Sequence, residues 1–230
     1  MPEGRRVQQM FSAIAGRYDV LNHVLSGGMD FWWWWRMARA SGAGPGKRFL
    51  DVAAGTGDSS LALARRGAEV VSTDFTHAML RLGPAKFARK GLAHRIWASS
   101  DADAQALPFR DASFDGLSIC YGIRNVEDRP LAYAEFLRVL RPGGQLTILE
   151  FSTPVLPGLK GIYDWYSRRV LPRIGAWISG DASAYTYLPA SIRAFPDQET
   201  LGAELATAGF RSVRWTNLTG GIVALHRAVK

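Results

Sequence analysis

The sequence predicts one α/β domain built on a doubly wound, mostly parallel sheet. Three observations support this. A short apolar run, Phe49 to Ala53, passes through a glycine-containing turn into a helix-forming segment, which is the order of strand, tight turn and helix. A second run rich in β-branched residues, Glu69 to Thr73, ends at Asp74, where a second parallel strand would finish. Beyond Asp74, strand-like and helix-like segments continue to alternate, as they do in βαβ units.

The turn after the first strand predicts a nucleotide-type binding site. Gly55 and Gly57 stand where the backbone must bend sharply and let a ligand approach main-chain N–H groups. Asp74, at the end of the second strand, is placed to accept hydrogen bonds from the two ribose hydroxyls of an adenosine. Because a glycine turn is also ordinary chain punctuation, Asp74 is the residue that favours an adenosine ligand.

Acidic residues around the turn favour S-adenosylmethionine over a dinucleotide. Nicotinamide dinucleotides use a G-x-G-x-x-G turn, which this stretch lacks, and Asp58 directly after the last glycine would repel a pyrophosphate. The carboxylates of Asp58 and Asp51 suit a ligand that carries an ammonium group. We therefore expect S-adenosylmethionine, with its amino-acid tail, as the cofactor.

The other predicted elements follow in chain order. Apolar spacings of three and four from Val7 to Leu25 predict an N-terminal helix broken near Gly16. The predicted strands are 48–53, 69–73, 96–99, 114–120, 145–150 and a closing pair at 212–216 and 222–228; the predicted helices are 58–66, 76–89, 130–140 and 197–208, with a turn at 141–144. These seven strands should form a Rossmann-like sheet with an antiparallel last strand and a cleft at the carboxyl ends of its parallel strands.

Two aromatic segments bracket this core. Met29 to Arg36 contains four consecutive tryptophans, which must point all around a helix, so we expect at least one to be exposed; packing under the N-terminal helix is the alternative. Residues 152–195 interrupt the alternation with aromatic and basic residues, among them Arg168, Arg173 and Trp177. Insertions of this length are usually lids or binding surfaces. Within one domain, 1–230, we therefore expect N-terminal helices over 1–46 and a substrate lid over 152–195.

Composition limits the compartment and the partners. The 28 Lys and Arg residues exceed the 20 Asp and Glu residues by 8, so a nucleic acid or an anionic membrane surface is a plausible partner. The single Cys120 excludes an internal disulfide, and the first residues lack the apolar core of a signal peptide, so a reducing cytoplasm is expected. No apolar run could span a bilayer, so membrane contact would be peripheral. The sequence leaves a homodimer open.

Five motifs resemble the UbiE/MenG/COQ5 family, the C-methyltransferases of menaquinone and ubiquinone synthesis. They are Met10–Asp19 with Asn22, the turn ending at Asp58, Tyr121–Val126, Leu149–Ser152, and Tyr185–Leu188 with Ser191 and Ile192. The resemblance covers nearly the whole chain. It implies a class I methyltransferase fold, S-adenosylmethionine as methyl donor and a polyprenylated quinol as acceptor. Demethylmenaquinol is the expected acceptor, and 2-polyprenyl-6-methoxy-benzoquinol, from ubiquinone synthesis, is the alternative.

The resemblance also implies the cofactor contacts. Carried over by position, they fall on Thr56, Asp74, Asp103 with Ala104, and Cys120. Asp103 stands where the family commonly has Asn, and Cys120 where it commonly has Ser. A thiol is a poorer hydrogen-bonding group than a hydroxyl, and a small buried apolar residue is the other interpretation of Cys120.

Methylation at carbon requires an activated ring. A quinol hydroxyl, with a pKa near the roughly 10 of tyrosine, must lose or share its proton so that electron density reaches the neighbouring carbon. Arg124 is the predicted catalytic residue, positioned with Asn125. Because an arginine is too basic to act as the base, we assign it stabilisation of the developing oxyanion, with the proton passing to water or a nearby carboxylate. A surface salt bridge is the alternative role of Arg124.

The acceptor pocket is expected to include Tyr18, Tyr121, Tyr185 and Tyr187, although structural hydrogen bonds would also explain these tyrosines. The four histidines, His23, His77, His94 and His226, show no metal-ligand spacing, so no metal is expected.

Two other classes of function stay open. A nucleic-acid methyltransferase would explain the positive charge, yet no base-methylating Asn-Pro-Pro-aromatic motif occurs. The last alternative is a cofactor-binding protein without catalytic activity.

Overall fold

The structure, a computed structural model, describes residues 4–166, 169 and 183–230. Its central sheet has seven strands in the order β3-β2-β1-β4-β5-β7-β6. They are β1 (Arg48–Val52), β2 (Glu69–Asp74), β3 (Ile96–Asp101), β4 (Phe114–Cys120), β5 (Leu140–Phe151), β6 (Arg211–Leu218) and β7 (Val223–Val229). Strands β1 to β5 pair in parallel, whereas β7 runs antiparallel to both β5 and β6. The predicted sheet is confirmed.

The helices of the described ranges are α1 (Gly4–Ile14), α2 (Tyr18–Leu25), α3 (Met29–Ala40), α4 (Asp58–Arg65), α5 (His77–Leu80), α6 (Gly83–Arg89), α7 (Arg129–Val139), α8 (Leu159–Trp165), α9 (Ser183–Ala194) and α10 (Gln198–Thr207). A 3-10 turn, Ala15–Arg17, separates α1 from α2 at the expected break. No helix within these ranges is long and apolar enough to cross a bilayer.

Two predicted boundaries were wrong. The helix expected over 76–89 divides into α5 and α6, because Pro84 has no N–H to donate and therefore stands in the first turn of a new helix. Strand β5 begins at Leu140 rather than at 145. The stretch predicted as a turn, 141–144, extends the strand because its backbone pairs with the C-terminus: the Gly143 N–H donates to the Lys230 carbonyl, and the Lys230 N–H donates to Gly144.

The strand order reverses between β1 and β4, and because these two strands are parallel their carboxyl ends lie at the same edge of the sheet. β1 pairs with β2 on one side and with β4 on the other. In such a sheet the cleft at the carboxyl ends of the strands, at the reversal, is the usual ligand site. The site is therefore expected beyond Val52 and Cys120.

Helix α3 divides the tryptophan run between two surroundings. Trp33 and Trp34 are buried, whereas Trp32 and Trp35 expose 38% and 49% of their surface. The indole N–H of Trp33 donates to the hydroxyl of Thr219 at 2.8 Å, so its polar edge is satisfied inside the protein. Exposure of at least one tryptophan is confirmed, and the core interpretation holds for the other two.

The N-terminal helices pack against the insertion that follows β5. Ile14 and Leu21 are buried in a cluster that includes Tyr166 and Leu188 from the insertion. The Tyr166 hydroxyl donates to the carbonyl of Leu25 at 2.8 Å. Three insertion residues singled out in the sequence, Arg168, Arg173 and Trp177, lie outside the described residues.

A buried lysine ties α2 to the turn after β1. The ammonium of Lys86, on α6, contacts the carboxylate of Asp19 on α2 at 2.6 Å and that of Asp58 on α4 at 3.0 Å. It also donates to the Thr56 hydroxyl at 2.8 Å, which in turn donates to Asp19 at 2.5 Å. Because one ammonium faces two carboxylates, the cluster carries net negative formal charge. Lys86 therefore holds the N-terminal helices over the turn.

Replacing Lys86 should loosen this attachment. We expect Lys86→Met to lower the free energy of unfolding by about 2–3 kcal/mol, less than for a fully buried pair, because the two carboxylates it leaves unpaired are partly exposed. Chemical denaturation measures this change, and limited proteolysis should show faster cleavage near α2. Lys90→Met, exposed at the end of the same helix, is the matched control. Equal unfolding free energies for the two variants would contradict the role of Lys86.

Candidate active site

Two cavities meet at the carboxyl ends of the parallel strands. The strand-end cavity, 420 Å³, is lined by residues at the ends of β1, β2 and β4, by the loop after β3 and by α1. The aromatic cavity, 330 Å³, lies among α1, α2, α3, the insertion and the residues after β4. Phe11, Tyr18 and Tyr121 line both cavities. A ligand in one cavity would therefore face a ligand in the other across a shared wall.

Asp74 and Asp103, both predicted to contact the cofactor, line the strand-end cavity. The Asp74 carboxylate accepts hydrogen bonds from the N–H groups of Gly55 at 2.8 Å and Thr76 at 2.7 Å. The Asp103 carboxylate accepts one from the Gln105 N–H at 2.9 Å. Burial raises the pKa of Asp74 above its usual value, against these backbone hydrogen bonds. Both acids are thus oriented by main-chain donors at the cavity wall.

Gly55, Ala104 and Cys120 also line the strand-end cavity. Gly55 has φ +58°, a backbone conformation that residues with side chains rarely adopt, whereas a Cβ there would make only ordinary contact with the Met79 methyl group, at 3.5 Å. The backbone conformation is therefore what favours glycine at this position. Burial raises the pKa of the Cys120 thiol well above its usual value. The thiol therefore stays neutral and forms a small, weakly polar part of the wall.

Two predicted cofactor residues, Asp51 and Thr56, are buried and absent from the lining of either cavity. The Asp51 carboxylate accepts hydrogen bonds from the hydroxyls of Ser59, Ser60 and Ser118, each at 2.6 Å. The Thr56 hydroxyl belongs to the Lys86 cluster. Their polar groups are thus engaged within the protein, and they shape the turn from behind.

Gly57 also faces the interior, since a Cβ there would lie 2.4 Å from the Phe87 ring. The main-chain N–H groups predicted to face a ligand instead form hydrogen bonds within the protein: that of Gly55 donates to the Asp74 carboxylate, and that of Gly57 donates to the Ala54 carbonyl. The expected ammonium partner of Asp58 is present, but it belongs to Lys86 of the chain itself. Gly57 is therefore required by packing rather than by close approach of a ligand.

Several residues that line the strand-end cavity were not predicted. They include Gln8, Phe75, Thr76, Met79, Ala102 and Val126. Phe75 and Ala102 directly follow β2 and β3, so the strand-end rule could have found them. Gln8 comes from α1, where its amide donates to the Phe75 carbonyl at 2.7 Å, and no sequence signal pointed to it.

The aromatic cavity is mostly apolar. Its apolar lining residues are Met10, Phe11, Ile14, Leu21, Leu25, Met29, Trp33, Trp34, Phe151, Leu159, Ile162, Trp165, Leu188, Ile192 and Ile222. Five tyrosines also line it: Tyr18, Tyr121, Tyr163, Tyr166 and Tyr187. Of the acidic and basic side chains within the described ranges, only Arg124 and Asp30 line it. Such a cavity suits an apolar ring and chain that carry few polar groups.

Arg124 supplies the positive charge of the aromatic cavity. It is 9% exposed and pairs with buried Glu150 at 2.8 Å, while the same nitrogen donates to the Tyr121 carbonyl. Its Nε has no hydrogen-bond partner among the described residues. Burial lowers the pKa of Arg124, but Glu150, Tyr18 and Tyr187 outweigh it and raise the pKa overall. The alternative of a surface salt bridge is wrong: Arg124 is a buried, permanently charged donor.

Three of the predicted tyrosines surround this charge. Tyr121, at φ +56°, has a buried hydroxyl without a partner in the described part of the chain. Burial raises the pKa of Tyr18 above its usual value and raises that of Tyr121 well above it. Both side chains therefore act as neutral hydroxyls. The Tyr187 hydroxyl donates to the side-chain oxygen of Asn125 at 2.8 Å. The side chain of Tyr185 lies outside the described residues.

Solved structures share this fold at low sequence identity. The cyclase SpnF has a TM-score of 0.73 at 19% identity, over 100% of this chain and 96% of that one. A SAM-dependent methyltransferase from Thermotoga maritima has a TM-score of 0.66 at 17% identity, over 96% and 99% of the two chains. These likenesses support the Rossmann-like methyltransferase fold.

Curated proteins are similar over nearly the whole chain. The demethylmenaquinone methyltransferase of Clavibacter sepedonicus is 47% identical over 98% of this chain and 90% of its own length. The ubiquinone/menaquinone biosynthesis C-methyltransferase UbiE of Pectobacterium atrosepticum is 45% identical over 97% and 90%. The sequence profile of the ubiE/COQ5 methyltransferase family matches residues 2–230. The chain therefore belongs to the ubiE/COQ5 methyltransferase family.

Proposed function

We propose that this protein transfers a methyl group from S-adenosylmethionine to a ring carbon of demethylmenaquinol, a polyprenylated quinol, to give menaquinol. The observation that carries the proposal is the meeting of two cavities with different linings. One is bordered by acids at strand ends, and the other is apolar with a buried guanidinium. The names of the curated relatives support the same reaction.

The strand-end cavity fits S-adenosylmethionine. Asp74 presents a carboxylate at the end of β2, where an adenosine ribose is bound in sheets of this kind, and Gly55 lines the same cavity without a side chain. Asp103 and Glu127 add negative charge to the wall, which suits a cationic ligand. When bound, the cofactor supplies a methyl group on a positively charged sulfur.

The polar atoms of the aromatic cavity fit the hydroxyls of a quinol. The Nε of Arg124 and the hydroxyl of Tyr121 are buried donors without partners in the described structure, and a buried unpaired donor is costly. In this proposal the oxygens of the bound quinol accept hydrogen bonds from these donors. Arg124, which stays protonated, then favours the ionised acceptor and directs electron density to the neighbouring ring carbon.

Asn125 connects the two cavities. It lines the strand-end cavity, whereas its partner Tyr187 lines the aromatic cavity. Their hydrogen bond at 2.8 Å therefore passes from one cavity to the other. We assign to this pair the alignment of the acceptor ring with the donor, because near-attack geometry can contribute about 7–11 kcal/mol to lowering a barrier. The insertion helices α8 and α9 act in this proposal as the lid over the acceptor.

A second acceptor, 2-polyprenyl-6-methoxy-benzoquinol, is favoured by the relatives named for both ubiquinone and menaquinone biosynthesis. Both acceptors have a hydroxylated ring and an apolar chain, so both suit the same lining. The mostly apolar wall of the aromatic cavity gives no support to a nucleic-acid substrate.

The acceptor is tested by mass spectrometry. The protein is incubated with S-adenosylmethionine and, separately, with demethylmenaquinol or methoxy-benzoquinol of equal prenyl length, under reducing conditions. We expect demethylmenaquinol to gain one CH₂ faster than the benzoquinol does. Faster conversion of the benzoquinol would assign the alternative acceptor. Cofactor binding without turnover of any quinol would contradict the proposed activity, as would methyl transfer to nucleic acid alone.

The substitution Arg124→Lys tests the catalytic role of the Nε donor separately from the structural role of the ion pair with Glu150. Lysine can still pair with Glu150, so the core keeps its charge balance, but it lacks the Nε donor. We expect kcat to fall about 10²- to 10³-fold, the range for losing one donor to a developing oxyanion, while the cofactor dissociation constant stays within about threefold of the wild-type value. Arg124→Ala should lower kcat further and also destabilise the fold, because it leaves Glu150 buried without its partner.

Arg129→Lys is the control for Arg124→Lys. Arg129 pairs with Glu204 at 2.7 Å and lines neither cavity, so its replacement tests a more exposed arginine–glutamate pair away from the site. Wild-type turnover in Arg124→Lys would refute the role of the Nε donor.

We further propose that the protein works in the cytoplasm, on the inner face of the cell membrane, with its exposed apolar side chains touching anionic lipid. These side chains lie on α2, α3 and α8, whose neighbouring residues line the aromatic cavity. They include Val20, Val24, Phe31, Trp35, Ile162 and Trp165. Arg36 and Arg39 lie over the rings of Trp32 and Trp35 at 5.4 and 4.9 Å. Apolar groups beside cations favour an anionic interface, where a polyprenyl chain could remain in the bilayer.

Vesicle binding tests this surface. We expect the double variant Val24→Ser and Trp35→Ser to bind phosphatidylglycerol vesicles at least about tenfold more weakly than the wild type, because two apolar side chains no longer leave water. Co-sedimentation measures the affinity. Trp97→Ser removes an equally exposed tryptophan from edge strand β3 and should bind as the wild type does. Equal loss in both variants would contradict a defined membrane surface.

A further inference from the structure

The aromatic cavity contains a carboxylate that the mechanism above does not use. Asp30, in the first turn of α3, is 3% exposed. Of the described residues that line this cavity, it is the only acidic one. Burying a carboxylate is costly. The first turn of a helix favours an acidic residue electrostatically, but this does not explain why the carboxylate of Asp30 also borders a cavity.

Asp30 is connected from the cavity to the surface. One of its oxygens pairs with Nδ1 of His23, and the other accepts a hydrogen bond from the Ser26 hydroxyl at 3.0 Å. Ser26 also lines the aromatic cavity. The His23 side chain is 31% exposed, against 4% for that of Asp30. The pair therefore leads from a buried carboxylate to an imidazole in contact with solvent.

The imidazole is held in place by aromatic neighbours. The His23 ring stacks on Phe31 with centroids 4.4 Å apart, and it meets the edge of Trp34 at 6.1 Å. Trp34 is buried in the wall of the aromatic cavity. These contacts fix the ring against α3, with Nδ1 towards Asp30.

The carboxylate lies on the reactive side of the cavity. Burial, Cys120 and Glu150, in that order, raise the pKa of the Tyr121 hydroxyl, and the charge of Asp30 adds a smaller contribution in the same direction. Trp33, one turn after Asp30, packs against Tyr121 with ring centroids 6.3 Å apart. Tyr121 belongs to the wall shared by the two cavities, which is where the methyl group must cross.

The proposed reaction releases one proton, and it needs an acceptor for it. Arg124 is permanently charged, Tyr18, Tyr121 and Tyr187 have raised pKa values, and Glu150 is occupied by Arg124. Resting on the proposed function, we propose that Asp30 accepts the hydroxyl proton of the quinol and passes it through Nδ1 of His23 to solvent.

The step balances in atoms and electrons. The acceptor O–H bond breaks, its proton goes to Asp30, and its electron pair flows through the ring to form the new C–C bond. The bond between sulfur and the methyl carbon breaks, and its electron pair stays on sulfur. Transfer of the ring C–H proton to oxygen then restores the aromatic quinol without further net proton release. His23 starts this step with its proton on Nε2; it takes the proton from Asp30 at Nδ1 and releases the Nε2 proton to water. Exchange of the ring protons with water then returns His23 to the starting tautomer and completes the cycle.

The relay is tested with Asp30→Asn and His23→Ala. Under single-turnover conditions with demethylmenaquinol, we expect Asp30→Asn to lower the rate at least about 100-fold, as for loss of a general base, with cofactor affinity unchanged. His23→Ala should lower it about tenfold, within the smaller contribution of a proton shuttle. Because His23 is partly exposed, added imidazole should restore much of that loss, which a purely structural defect would not allow.

The controls separate the relay from the proposed function. His77 and Asp101 form another histidine–aspartate pair, at 2.9 Å, which is exposed and lines neither cavity; His77→Ala should keep wild-type turnover and show no response to imidazole. Asp30→Asn with wild-type turnover, or His23→Ala without imidazole rescue, would overturn the relay alone. Absence of turnover in the wild-type protein would overturn the proposed function and the relay with it.

Discussion

The site depends on how one buried carboxylate is satisfied. Asp51 is completely buried on β1, beside the point where the strand order reverses, and burial raises its pKa. It accepts hydrogen bonds from Ser59 and Ser60 of α4 and from Ser118 of β4. Because a buried charge without partners is costly, the folded state requires these hydroxyls to converge. Their convergence fixes the turn between β1 and α4, from which the walls of the strand-end cavity extend.

Periodicity in the sequence was sufficient for the sheet but not for every boundary. β4 matches its predicted range, 114–120, because the residues that make it a strand are local and apolar. The start of β5 could not be predicted, since its first residues pair with Lys230 at the far end of the chain. The division at Pro84 was a local signal that the helical spacing on either side concealed.

For the candidate site, the sequence predicted residues at strand ends but not the directions of their side chains. Asp74 and Asp103 border a cavity because they end strands or follow them, a placement that topology dictates. Thr56 and Gly57 lie in the turn that was also predicted to bind the cofactor. Instead, the Thr56 hydroxyl accepts a hydrogen bond from Lys86, and Gly57 packs against the ring of Phe87, both on α6. The contact between His23 and Asp30 likewise depends on the angle between α2 and α3. Residue spacing within either helix does not predict that angle.

The shared wall of Phe11, Tyr18 and Tyr121 has a thermodynamic consequence. If donor and acceptor bind as proposed, both contact these side chains, and a ligand that restricts them from one cavity would couple its binding free energy to that of the ligand in the other. Linkage requires the coupling to be equal in both directions: whatever factor the donor imposes on acceptor affinity, the acceptor imposes on donor affinity. Any such coupling would pass through the aromatic rings that lie between the two ligands.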